Sequence, residues 1–82
     1  MSKDLPAITG PELIKLLKAD GWQEGRRATH GITLTKKNNE GRTLVTLVPT
    51  KPRSLPIGTL MAILKQTQLG REGLLELLQK KH

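Results

Sequence analysis

The chain has 82 residues, with 14 Lys and Arg against 7 Asp and Glu and a formal net charge of +7. That length allows one domain with a modest core. The absence of cysteine excludes disulfides, thiolate nucleophiles and Cys-based zinc sites, and fits a reducing compartment. So basic a surface attracts polyanions, nucleic acid first, or else an acidic protein partner. No apolar run approaches the roughly 18 residues that cross a bilayer, and the N-terminal stretch lacks an apolar signal core. The cytoplasm is therefore the expected location, with no membrane partner. Trp22 is the one aromatic residue. Leu, Ile and Val must supply nearly all of the packing, and stacking on single-stranded bases is disfavoured.

Residues 1–8 read as an N-terminal tail, with Leu5 and Ile8 able to staple onto a single domain over 9–82. The stretch 9-TGPELIKLLKADGW-22 carries the strongest helix signals in the chain. Thr9 and Glu12 stand at capping-box spacing, and Pro11 falls in the first turn, where its missing N–H costs nothing. Leu13, Ile14, Leu16 and Leu17 form an apolar stripe at helical spacing, and Gly21 suits the residue that closes the helix. From Trp22 the period changes. Residues 22–28 read as a polar strand. Ile32 and Leu34 alternate with Gly31, Thr33 and Thr35 as in a half-buried strand, and 43-TLVTLV-48 reads as a third. Between the last two, 36-KKNNEG-41 reads as a hairpin loop, with Asn and Gly at the positive-φ positions. The three prolines of 49-PTKPRSLPIG-58 keep that connection extended. A second helix is expected over 56–68, capped by Ser54 or Leu55, buried through Leu60, Ile63 and Leu64, and stopped at Gly70. A third is expected over 71–81, with a Leu74, Leu75, Leu77 and Leu78 face that belongs first to the core.

The order α-β-β-β-α plus a terminal helix defines an α+β fold. A three-stranded antiparallel meander has helices on one face and the other face open, as in double-stranded-RNA-binding domains. Four stretches on that frame, 12-ELIKLLKADGW-22, 28-ATHGITL-34, 44-LVTLVP-49 and 55-LPIGTLMAILKQ-66, together resemble the HicA toxin family. The resemblance covers about residues 10–70. It implies an mRNA interferase that cuts RNA without metal or cofactor, through one histidine at the opening of the second strand. It also implies a HicB-type antitoxin that covers that histidine. The matching positions here are His30 for the histidine and Pro56, Gly58, Thr59 and Leu60 for the helix start. Where the family has Gly-Ser-His, this chain has Ala28, Thr29 and His30. Thr50 and Lys51 stand where many members have another histidine.

RNA carries its own nucleophile, the 2′-hydroxyl. Cleavage needs a group to take that proton, positive charge near the phosphorane, and a proton for the departing 5′-oxygen. Imidazole serves either proton step near neutrality. Arg26, Arg27, Lys51 and Arg53 are the candidates to hold phosphate oxygens, with Lys36 and Lys37 as further RNA contacts. With one internal histidine, a lysine or water must fill the other proton role. His30 shares its parity with Ile32 and Leu34, so a regular strand would turn it toward the core. It is therefore expected at the strand end, with Gly31 allowing a bend. Two other readings stand beside the nuclease: an RNA-binding module of the same fold that does not cut, and a basic domain that binds an acidic protein.

Overall fold

The computed structural model describes residues 7–51 and 53–80. The elements run α1 (Gly10–Ala19), β1 (Gln23–Ala28), β2 (Gly31–Lys37), β3 (Thr43–Pro49), α2 (Ile57–Gln66) and α3 (Gly70–Lys80). The strands form one antiparallel sheet in the order β1-β2-β3. This is the α+β layout that the sequence pattern implies.

The capping box forms as the spacing requires. The Thr9 hydroxyl accepts from the Glu12 N–H at 3.3 Å, and the Glu12 carboxylate accepts from the Thr9 N–H at 3.1 Å. Asp20 caps the other end of α1, and Gly21 turns the chain at φ 103°, a value that disfavours a side chain. Trp22 falls just outside β1 and is buried, so it packs at the helix–strand junction rather than presenting a stacking surface.

β2 and β3 pair without interruption from Gly31↔Pro49 to Lys37↔Thr43. Their hairpin loop is held by the Asn38 side chain, which accepts from the N–H groups of Glu40 and Arg42 at 2.9 and 3.0 Å. Only Gly41 takes positive φ there; the asparagines do not. β1 pairs with β2 less regularly. Glu24 lies opposite Leu34 and Arg27 opposite Ile32, so β1 carries one extra residue, a bulge at Gly25 and Arg26.

One sheet face is buried through Ile32, Leu34, Thr46 and Val48 and is covered by the helices. Leu13, Leu17, Leu60, Leu64 and Leu74 complete the centre. α3 packs on both α1 and α2, with Leu74 and Leu77 buried, so its leucines belong chiefly to the core. Each such leucine contributes about 2 kcal/mol of transfer free energy.

Ile8 does staple onto the domain as the sequence allows: it lies in the core, and its carbonyl accepts from the Leu55 N–H at 2.8 Å. Leu5 lies outside the described residues. Several boundaries differ from the sequence expectation. α2 starts one residue later than expected, with Pro56 at the cap and no side-chain cap bond, because Ser54 is held in an isolated bridge to Thr9. α2 also ends earlier. Thr67 caps it and Gln68 takes φ 61°, so Gly70 opens α3 instead of stopping α2.

Candidate functional site: a cleft beside the first hairpin

β1 and β2 are joined by a two-residue turn, Thr29–His30, with Ala28 paired to Gly31. The turn lifts His30 out of strand parity, and its side chain is exposed rather than aimed at the core. Gln68 is the one non-glycine residue with positive φ among those described. Thr29 and His30 therefore adopt neither of the mirror-image turns that best match strand twist.

Gly31 acts differently from the expectation. It supplies no positive-φ bend. A Cβ built on it would collide with the Val48 carbonyl oxygen and lie 2.9 Å from the Val48 carbonyl carbon. The missing side chain lets β2 approach the end of β3. Gly10 does the same from the opposite side, where a Cβ would collide with the Pro49 carbonyl oxygen. The end of β3 is clamped between two glycines, one from α1 and one from β2.

That clamp brings the chain after β3 beside His30. An open cleft of about 360 Å³ is lined by His30, Pro49, Lys51, Arg53, Ser54 and Thr59, together with Leu55 and Pro56. The wall formed by residues 53–56 is tied down at two points, by the Thr9↔Ser54 bridge and by the Leu55-to-Ile8 hydrogen bond. Thr59, in the first turn of α2, closes the far side. One imidazole, two cationic side chains and two hydroxyls thus share one solvent-open recess. The arrangement can hold a phosphodiester by its charge and place a proton-transfer group against it.

The other cations predicted from the sequence lie elsewhere. Arg26 and Arg27 are exposed on β1, one in the bulge and one after it, and neither lines the cleft. Lys36 and Lys37 stand at the opposite end of β2. Six residues at about 3.3 Å each set Lys37 about 20 Å along the strand from Gly31. The Lys36 ammonium is also engaged, donating to the Asp20 carbonyl at 2.8 Å and to its carboxylate at 3.1 Å. Lys36 thereby ties the sheet to the end of α1. Ser54 is a cleft residue that sequence reasoning passed over. Its one signal is its place beside Arg53 in a proline-rich connection. Among the described residues no group of three His, Asp or Glu is placed to hold a metal ion.

The fold and the cleft define a small basic α+β domain that gathers a histidine and two cationic side chains in one recess. The model of one family, described as the HicA toxin of bacterial toxin–antitoxin systems, matches residues 10–69. The chain belongs to this toxin family. No curated protein and no solved structure matches the chain. Among the described residues no helix is long and apolar enough to cross a membrane.

Proposed function

We propose that this chain is an endoribonuclease, an mRNA interferase of HicA type that acts without metal or cofactor, and that a HicB-type antitoxin restrains it in the cytoplasm. The observation that carries the reading is an exposed His30 sharing a cleft with Lys51 and Arg53. His30 acts in one of the two proton steps. As base it takes the proton of the 2′-hydroxyl, whose oxygen attacks the adjacent phosphorus. The bond to the 5′-oxygen then breaks, leaving a 2′,3′-cyclic phosphate and a free 5′-hydroxyl. The Lys51 ammonium or a water supplies the proton that the leaving oxygen takes up. Lys51 and Arg53 balance the charge that grows on the equatorial phosphate oxygens. Ser54 and Thr59 offer hydroxyls to the same phosphate or to the ribose. Arg26 and Arg27, three or four residues before the histidine, contact phosphates further along the strand. Lys36 and Lys37 fall outside this footprint for a short substrate and contribute only with a longer one.

A substrate held by backbone and 2′-hydroxyl contacts fits a chain with a single, buried aromatic residue. The test is purified protein with end-labelled RNA in EDTA, alongside His30→Ala. Cleavage by the wild type, with cyclic-phosphate ends, and intact RNA with the variant are expected. RNA bound equally by both and cut by neither would leave the non-catalytic binding module in its place.

A further inference from the structure

The two edges of the sheet are unlike. β1 carries Glu24, Arg26 and Arg27 together with a bulge, the features that keep an open edge from pairing with another chain. β3, the other edge, has none of them. Its seven residues, TLVTLVP, include no charge, and it pairs with β2 in unbroken register. Val45 and Leu47 on its outer face are 53 % and 44 % exposed. Successive residues turn their N–H and C=O groups alternately to β2 and to the open side, so about half of the strand's backbone is free to pair there.

We infer that β3 pairs with β3 of a second copy, antiparallel about a two-fold axis at Thr46, to make a continuous six-stranded sheet. The strand is close to self-complementary about that point. Val45 comes opposite Leu47 of the partner copy, and Leu47 opposite its Val45, so four aliphatic side chains meet on the outer face. The isologous contact closes on itself and leaves no further unguarded edge, because the outer strands become the two guarded β1 strands.

The space beside the edge fits the same occupant. A groove runs between β3 and α2, lined by Val45, Thr46, Leu47, Gly58, Ala62 and Gln66. Gly58 and Ala62 stand one helical turn apart, and a Cβ on Gly58 would meet nothing within 4 Å. The two-fold axis brings the α2 helices of both copies to the same side of the sheet, where these small residues let the helices approach. The strand's own pattern selects the second copy over an acidic protein, and charge decides only the place: two chains of +7 repel each other, and that repulsion is least along the uncharged β3. An acidic partner gains nothing from this strand and is drawn to the cation-lined cleft instead.

Sedimentation equilibrium of the purified chain across the micromolar range tests the inference. The wild type is expected to show twice the chain mass, falling toward one on dilution. Val45→Lys and Leu47→Lys each place a charge on the exposed face without touching the core. Both are expected to be monomeric while keeping the wild-type circular dichroism and melting curve. Ile57→Lys changes an exposed aliphatic residue outside the groove and is expected to remain dimeric. His30→Ala is expected to dimerise like the wild type, so this result stands apart from that of the nuclease assay. A wild type that is monomeric throughout overturns the inference, as does a dimer that survives Leu47→Lys or is lost equally in Ile57→Lys. A monomer whose residues 43–49 gain amide protection only with a co-expressed antitoxin also overturns it, and assigns the edge to that partner.

Discussion

Gly31 lies against Val48 so closely that no side chain fits between them; a Cβ there would collide with the Val48 carbonyl oxygen. This contact is what sets the Thr29–His30 turn beside the chain that leaves β3. Gly31→Ala must push β2 away from β3 or rotate the turn. Overpacking of this kind costs about 1–3 kcal/mol. The melting temperature is expected to fall, and RNA cleavage to fall further than the loss of folded protein accounts for, because His30 moves relative to Lys51 and Arg53. Thermal melts and cleavage at a temperature where the variant is fully folded measure the two effects. An unchanged melting temperature would count against the clamp.

The cleft makes a ranking among the cations. Lys51→Ala and Arg53→Ala are each expected to slow RNA cleavage about tenfold, equivalent to roughly 1.4 kcal/mol for a charge-assisted contact. Lys37→Ala, at the far end of β2, is expected to alter cleavage of a short RNA less than twofold. Binding titrations at several salt concentrations give a second reading: the log–log salt slope is expected to shrink by about one for each contact removed. Equal effects at Lys37 and Arg53 would place the RNA across the sheet rather than in the cleft.

Lys36 is expected to matter for stability and not for cleavage of a short RNA. Its bonds to the Asp20 carbonyl and carboxylate hold the sheet to the end of α1, with the two side chains 35 % and 24 % exposed. Partial exposure weakens the pair, so Lys36→Met is expected to cost about 1 kcal/mol. A double-mutant cycle with Asp20→Ala by urea denaturation isolates the coupling. Additive losses would show that the pair contributes nothing beyond its separate side chains.

Gln68 occupies the left-handed region at φ 61° between α2 and α3. A side chain there costs about 1 kcal/mol, part of which glycine returns through the unfolded state. Gln68→Gly is expected to stabilise the protein by about 0.5 kcal/mol, a rise of a few degrees in melting temperature for a domain of this size. A lower melting temperature would mean that the exposed glutamine makes a contact worth more than the backbone strain.

Local chemistry made much of this fold legible in the amino-acid order. The Thr9–Glu12 box, the leucine spacing of α1 and the alternation in β2 and β3 act within a few residues, so the elements follow from neighbours alone. The helix ends around Ser54 and Gly70 were misread for the opposite reason. Ser54 is held by a bridge to Thr9, and α3 begins after a left-handed Gln68 and packs with Leu74 buried against α1 and α2, contacts that join residues far apart in the chain.

The same division runs through the site. Sequence alone determined that the protein is a small basic α+β domain of the HicA kind, and it singled out His30 and the cations near it by residue type. Only the tertiary structure decided which cations share a cleft with that histidine. Antiparallel register carries Lys36 and Lys37 away from the turn along β2, while the Gly31↔Pro49 pairing returns Lys51 and Arg53 to it from a distant part of the chain. The physical reason is that a strand separates residues by about 3.3 Å per step, whereas the sheet places distant segments side by side at about 4.8 Å.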